Sequence, residues 1–153
     1  MSEPFTCYSI TKNVKDRRKV IASDIAACIL MESWDYLRKA NQIKLLAFCI
    51  MPDHFHLLFC LLQEKSLSEV IGSTSKFTAR EINKCLGSQG QFWQDGFHDH
   101  RSRNEIETDD LAIYIEHNPV RAGFVEIASE WPYSSAFPLN ARLLDHDWYA
   151  QAR

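Results

Sequence analysis

The pattern of hydrophobic and polar positions divides the chain into short apolar blocks separated by polar segments. Phe5–Thr11 alternates roughly and is rich in β-forming residues, which predicts a first strand. A helix is predicted from the N-cap residue Ser23 to about Ala40. Its apolar positions fall near one stripe and are Ile25, Ile29, Trp34 and Leu37.

The most apolar region of the chain contains two blocks, Ile43–Ile50 and His54–Leu61. Only a short turn containing Pro52 and Asp53 lies between them, so we expect two adjacent antiparallel strands. A helix that spans a membrane needs about 20 predominantly apolar residues. The turn and the two histidines that follow it interrupt the region, and a membrane span is therefore not expected.

Two further helices are predicted in the second half of the chain. Ser66 and Glu69 have the spacing of a capping box, which predicts a helix that begins there and runs towards Leu86. Gly87–Gly90 is then a turn, and Phe92–Phe97 is expected to be a short strand or an extended segment.

The last predicted helix carries acidic residues at its beginning. Thr108 is the expected N-cap, and Asp109 and Asp110 would lie in the first turn, where they favour the helix dipole. This helix should end near Asn118, because Pro119 disfavours helical geometry in the residue before it.

The order of these elements is strand, helix, strand, strand, helix, strand, helix. The first six form the β-α-β-β-α-β pattern of a ferredoxin-like α+β sandwich, and the extra C-terminal helix carries Tyr114. The first and third strands are central in that layout, so His54–Leu61 would lie in the middle of the sheet. We expect one domain over residues 1–153, with residues 137–153 as a C-terminal tail.

Composition and charge limit the possible classes of protein. A hydrophobic content of 46% indicates a folded globular chain. The N-terminus lacks the pattern of a signal peptide, and the odd number of cysteines without a Cys-x-x-Cys pair argues against a disulfide framework. A cytoplasmic protein is therefore expected. The net charge of −3 does not indicate a nucleic-acid binder, so that function would depend on local basic patches.

His54 and His56 are the first candidates for chemistry. Side chains two residues apart on a strand point to the same face, so both imidazoles can reach one divalent metal while Phe55 packs on the other side. Tyr114 and Asn118 are four residues apart on the last helix and share a face. The Asn118 carbonyl oxygen is a candidate third ligand, and Mg²⁺ or Mn²⁺ is compatible with this set.

Other interpretations of these residues remain open. The two histidines could simply be hydrogen-bonded and half-buried, Tyr114 could be a core aromatic residue, and Asn118 could be an ordinary residue at a helix end. A zinc site would use Cys49, His54, His56 and Cys60, although their spacing is unusual for structural zinc.

Basic side chains occur in two clusters that are candidate phosphate contacts. They are Lys12, Lys15, Arg17, Arg18 and Lys19 after the first strand, and Arg101, Arg103 and Arg121 further on. Phe92, Trp93 and Phe97 are candidate base-stacking residues, with core packing as the alternative.

Three blocks of the sequence, in the same order and spacing, resemble HUH single-tyrosine transposases. The first extends over residues 47–58 and contains the histidine, hydrophobe, histidine motif. Residues 92–100 and 114–123 are similar to later blocks of one branch, the REP-associated tyrosine transposases, and residues 131–135 are similar to the block that follows. The resemblance extends from about Phe5 to Ala136.

The resemblance implies a ferredoxin-like fold and a specific reaction. This is metal-dependent cleavage and rejoining of hairpin-bearing single-stranded DNA through a 5′-phosphotyrosine intermediate. His54 and His56 match the metal ligands, Tyr114 the nucleophile and Asn118 the polar residue one turn later, where relatives often have Gln. The chain is expected to act as a monomer or a homodimer. A catalytically quiet protein that binds DNA hairpins is the alternative.

Overall fold

One antiparallel sheet of four strands organises the computed structural model, which describes residues 6–62 and 65–145. The strands are β1 (Thr6–Asn13), β2 (Ile43–Ile50), β3 (His54–Leu61) and β4 (His98–Arg101). Their spatial order is β2-β3-β1-β4, so β1 and β3 are central, as predicted. The predicted first residue of β1, Phe5, lies outside the described residues.

Four α-helices accompany the sheet among the described residues: α1 (Asp24–Lys39), α2 (Leu67–Leu86), α3 (Glu105–Glu116) and the short α4 (Asn118–Arg121). Short 3-10 helices occur at Lys15–Arg17, Ala128–Glu130 and Pro138–Leu143. Within the described ranges, no helix combines the length and the apolar character needed to cross a membrane.

The helices cover the two faces of the sheet unequally. Residues of α1 and α2 pack on one face and form the larger core with side chains such as Trp34 and Phe55. Helix α3 lies on the opposite face, where Ile115 packs against Leu46, Met51 and Leu58. This arrangement confirms the ferredoxin-like α+β fold with an additional helix that carries Tyr114.

Several local predictions are confirmed because their signals lie within a few residues. The Ser23 side chain caps α1 by accepting from the Ala26 backbone amide. Ser66 and Glu69 form both hydrogen bonds of a capping box at α2. Gly87 ends that helix in the left-handed region, with φ of 66°, which glycine adopts without a Cβ penalty.

Three predictions are wrong in detail. Phe92–Phe97 is not the fourth strand, which is instead the exposed segment His98–Arg101. Helix α3 begins at Glu105, because Asn104 accepts from the Glu107 backbone amide, and Thr108 is buried inside the helix. Ile25 is 55% exposed and does not belong to the buried stripe of α1.

A disulfide joins Cys7 and Cys60, although the cysteine pattern argued against a disulfide framework. The two residues are direct partners on β1 and β3, and they are 53 positions apart in the sequence. Cysteine spacing did not reveal the pair because only the strand register brings these residues together.

The described part of the C-terminal segment packs on the sheet and on α1. Leu143 is 4% exposed, and the Asp145 carboxylate accepts hydrogen bonds from Arg38 and from the Leu45 backbone amide. Residues 146–153 of the predicted tail lie outside the described residues.

Candidate active site on the α3 face of the sheet

His54 and His56 lie at the beginning of β3 and point to the face of the sheet that carries α3. Phe55, between them, is 5% exposed and packs on the opposite side against Trp34 and Trp93. The two imidazole rings are 4.9 Å apart between centroids and nearly perpendicular. The period of two in β3 therefore brings the predicted ligand pair together.

A hydrogen bond occupies the Nδ1 atom of each imidazole. His54 Nδ1 donates to Asp53 Oδ1 at 2.7 Å, and His56 Nδ1 lies 2.9 Å from the hydroxyl of Thr11 on β1. Arg17 pairs with the other carboxylate oxygen of Asp53 at 3.0 Å. Partners of this kind fix the orientation of a metal-binding histidine and leave its Nε2 for the metal.

Electrostatics favour the neutral form of His56. Burial, together with the nearby charges of His54 and Arg121, lowers the pKa of His56 to about 4. Burial opposes ionisation of Asp53, but hydrogen bonds from His54 and Arg17 hold the pKa of Asp53 below its ordinary value. A metal binds the neutral form of an imidazole, and the ionised Asp53 carboxylate accepts the hydrogen bond that orients His54.

Tyr114 lies on α3 beside the residue that anchors this helix to the sheet. Ile115 is 1% exposed and contacts the sheet, whereas Tyr114 is 59% exposed. His117 keeps helical backbone angles between α3 and α4, so Tyr114 and Asn118 remain on the same flank of Ile115. The phenol is therefore accessible and is not sealed in the interior.

Arg121 on α4 contacts both the phenol ring and the main chain of Tyr114. Its guanidinium carbon lies 3.8 Å from the centroid of the phenol ring, and its Nη2 donates to the Tyr114 carbonyl oxygen at 2.6 Å. Arg121 lies about two helical turns after Tyr114, and Pro119 is tolerated in the first turn of α4 because no backbone N–H is needed there.

Glu116 fixes the other flank of α3. Its carboxylate accepts a hydrogen bond from the Ser135 hydroxyl at 2.5 Å. The same hydroxyl bonds the backbone of Phe48 on β2, so the end of α3 is tied to the edge of the sheet. Burial and the Glu116 carboxylate both raise the pKa of Cys49.

The chemistry of His54 and His56 suits a divalent cation that takes an oxygen as a further ligand. Both rings have their Nδ1 atoms engaged, and imidazole with a carboxamide oxygen is compatible with Mn²⁺ or Mg²⁺. Among residues 6–62 and 65–145, no group of three His, Cys, Asp or Glu side chains could hold a metal. Cys60, one of the four ligands of the zinc alternative, is instead bonded to Cys7.

The first basic cluster has mixed roles in the structure. Lys12 is 6% exposed, and its ammonium donates to the carbonyl oxygens of Gln94 and Gly96 at 2.8 and 2.7 Å. It therefore supports the segment before β4, and a DNA contact by Lys12 stays a prediction. Arg17 orients Asp53, whereas Lys15 and Lys19 are exposed and Arg18 is partly buried over Phe92.

The second basic cluster is divided between the two faces of the sheet. Arg101 pairs with Tyr8 in the register, which places it on the face opposite the histidine pair. Arg103 is exposed and bound to Glu107, and only Arg121 contacts a candidate site residue among these three. Phe92 and Trp93 are 1% and 5% exposed, so they are core residues.

The residues that support the site are not among the candidates that the sequence pattern indicates. Asp53 precedes His54 directly, and a carboxylate beside a candidate ligand could have been proposed from the motif. Thr11 and Ser135 are far from their partners in sequence, so only the strand register and the chain path reveal them.

Comparison with known proteins is consistent with this architecture. The chain matches the family described as "Transposase IS200 like" over residues 6–118. A Haemophilus influenzae protein named "Putative REP-associated tyrosine transposase" is 32% identical over 113 residues, which cover 67% of this chain and 64% of that protein. The REP-associated tyrosine transposase of Escherichia coli is 24% identical over 142 residues, covering 92% and 83% of the two chains.

Solved structures share the fold. A structure described as a REP-associated tyrosine transposase bound to a REP hairpin has a TM-score of 0.73 at 23% identity, covering 93% of this chain and 86% of that one. A Deinococcus radiodurans structure described as that of a transposase has a TM-score of 0.56 at 19% identity, covering 76% and 92%. The family match extends over most of the sequence and includes β1, the histidine pair and α3, and on that basis the chain belongs to the IS200-like transposase family.

Proposed function

We propose that this chain is a metal-dependent endonuclease and strand transferase for single-stranded DNA that contains a hairpin. One observation carries the proposal. His54 and His56 present two imidazoles on one face of β3, each with its Nδ1 hydrogen-bonded, on the side of the sheet where α3 carries an exposed Tyr114. Family membership supports a DNA-processing enzyme, and the REP hairpin bound by the structural neighbour supports hairpin DNA as the substrate.

In this proposal Nε2 of His54 and Nε2 of His56 would hold the cation, and the Asn118 side-chain oxygen would be the third ligand. Asp53 and Thr11 keep the two rings oriented and their Nδ1 protons in place. When bound, Mg²⁺ or Mn²⁺ would polarise the scissile phosphate and stabilise the charge that develops on it.

Tyr114 is the proposed nucleophile. Its phenolic oxygen attacks the scissile phosphorus in line, the bond to the 3′-oxygen breaks, and the phenolic proton passes to solvent while the leaving oxygen takes up a proton. The products are a 5′-phosphotyrosine and a free 3′-hydroxyl. A phenol ionises with a pKa of about 10 in water, so phenoxide is a better leaving group than an alkoxide, and another 3′-hydroxyl can reverse the step.

Arg121 is proposed to orient Tyr114 for this step. Its guanidinium covers one face of the Tyr114 ring and holds the carbonyl of the same residue, which limits the rotamers of the phenol. Restricting a nucleophile to a reactive orientation lowers the entropic part of the barrier.

The test is incubation of the chain with a labelled hairpin that has single-stranded flanks, in Mn²⁺, in Mg²⁺ or with chelator, followed by a denaturing gel. A covalent protein–DNA adduct should form only with metal and should be absent for Tyr114→Phe. Tyr36→Phe is the matched control, because Tyr36 is 68% exposed on α1, on the other side of the sheet. Adduct formation by Tyr114→Phe would refute the assignment of the nucleophile.

The alternative is a protein that binds hairpins without cutting them. Hairpin binding that is unaffected by chelator, together with no adduct and no cleavage in Mn²⁺, would establish that function instead.

A further inference from the structure

Helix α3 covers only part of the sheet face on which the candidate site lies. It packs on β2 and β3, through Ile115 and its neighbours. The other half of the same face belongs to β1 and β4. Apart from Cys7, its side chains are polar and at least partly exposed, and they are Ser9, Thr11, Asn13, His98 and His100.

The strand register connects this polar half to the histidine pair. Thr11 is the direct partner of His56 on one side and of His98 on the other, and direct partners point to the same face of a sheet. His56, Thr11 and His98 therefore form one row across three strands. At about 4.8 Å per strand, the Cα atoms of His98 and His56 are separated by about 10 Å.

The polar side chains of this surface differ in whether they already have a hydrogen-bond partner. The Thr11 hydroxyl is bonded to His56, and His100 is held by Glu107 at 3.0 Å. Within residues 6–62 and 65–145, no hydrogen bond or ion pair engages the exposed His98 imidazole. His98 is thus an available donor on the candidate site's side of β4.

The chemistry of the surface fits a DNA backbone. Hydroxyl and carboxamide groups are common hydrogen-bond partners of phosphate and sugar, and they position a strand without reading its bases. An imidazole N–H can donate to the same acceptors. Phe92 and Trp93 of the segment before β4 are buried, and the partly buried Phe97 packs against the larger core, so this surface does not offer these aromatic residues for base stacking. This surface adjoins the candidate site, because Thr11 is the direct strand partner of both His56 and His98.

We propose that the polar surface formed by Ser9, Thr11, Asn13, His98 and His100 binds the backbone of the single-stranded DNA next to the scissile phosphate, with His98 as the main contact. This inference rests on the proposed function, because it assumes that hairpin DNA is the substrate. It adds a binding surface that recognises the flank and not the hairpin.

The test compares two DNA ligands in the Tyr114→Phe background, which prevents cleavage. One is a bare hairpin, and the other is the same hairpin with single-stranded flanks on both sides. Fluorescence anisotropy gives the dissociation constant of each, and their ratio measures what the flank contributes. Parallel thermal unfolding verifies that each variant is folded.

His98→Ala should reduce the contribution of the flank by about fivefold to tenfold, as expected for one hydrogen bond to a charged group, and leave binding of the bare hairpin unchanged. Asp99→Asn is the matched control, because Asp99 is the next residue on β4 and points to the opposite face. The control should keep the full contribution of the flank.

Three results would overturn the inference. His98→Ala could keep the full contribution of the flank, it could weaken both ligands equally, or the parent could gain nothing from the flank. If neither ligand binds the parent at all, the proposed function fails as well. The bare hairpin therefore separates the failure of the surface from the failure of the function.

Discussion

The guanidinium of Arg121 lies over the phenol ring of Tyr114, with its central carbon 3.8 Å from the ring centroid. The same side chain donates to the Tyr114 carbonyl oxygen, so one residue of α4 holds both the ring and the main chain of the proposed nucleophile. The charge of Arg121 also contributes to the lowered pKa of His56. Arg121 therefore contacts Tyr114 and also acts electrostatically on His56.

Replacing Arg121 should impair cleavage more than it impairs hairpin binding. Arg121→Lys keeps the positive charge but loses the planar group, so the rate of adduct formation should fall about two- to tenfold, the range of a cation–π contact. Arg121→Gln should lose more, because the charge is also removed. Single-turnover rates on a denaturing gel, with dissociation constants measured separately, check this prediction. Equal losses in rate and affinity for Arg121→Lys would indicate a simple phosphate contact.

Thr11 should control metal affinity although it is not a proposed ligand. Thr11→Val keeps the shape of the side chain but removes the hydroxyl bonded to His56 Nδ1, so Mn²⁺ affinity should fall about 10- to 100-fold. Thr11→Ser keeps the hydroxyl and should restore most of the affinity. Calorimetric titration with Mn²⁺ measures both. An unchanged affinity for Thr11→Val would mean that this hydrogen bond does not orient the ring for metal.

His56 should make the stability of the metal-free chain depend on pH. Its pKa is about 4 when folded and about 6.5 when unfolded, so the unfolded chain binds more protons between these values. The free energy of unfolding should therefore fall as the pH is lowered from 6.5 towards 4, by about 2 kcal/mol from this residue. Above pH 7 the residue contributes no further change.

Urea unfolding in chelator at several pH values measures this dependence. His56→Gln should show a smaller loss of stability than the parent over the same pH interval, since glutamine does not titrate. An identical pH profile for the two proteins would contradict the burial of a neutral imidazole.

Lys12 should contribute to folding. Its buried ammonium donates to two backbone carbonyls, and burial lowers the pKa of Lys12. Lys12→Met leaves both carbonyls without this donor and should cost about 2 kcal/mol of unfolding free energy. Lys15→Met is the control, because Lys15 is exposed, and should change stability by less than about 0.5 kcal/mol. Comparable losses in the two variants would contradict a structural role for Lys12.

Local patterns in the sequence predicted most of the fold and the principal candidates for the site. The period of two in β3 gives the shared face of His54 and His56, and a spacing of four gives the shared flank of Tyr114 and Asn118. These relations depend on neighbours in the chain. The start of α3 was misplaced because Thr108 and Asn104 are both good N-cap residues, and the structure uses Asn104.

Relations between distant residues could not be predicted in this way. The Thr11 hydroxyl and the His56 ring are 45 positions apart, and only the register of β1 and β3 brings them together. Strand β4 was missed because His98–Arg101 is exposed and has no apolar alternation. The burial of Lys12 depends on the path of the segment before β4, which is irregular.

The central claim is that Tyr114 forms the covalent bond to DNA. Mass spectrometry of a proteolytic digest, after reaction with a flanked hairpin in Mn²⁺, identifies the modified residue directly. We expect a single modified peptide that carries a 5′-phosphorylated nucleotide on Tyr114, and no modified peptide when chelator is present. A nucleotide on any other residue, or full modification without metal, would contradict the account.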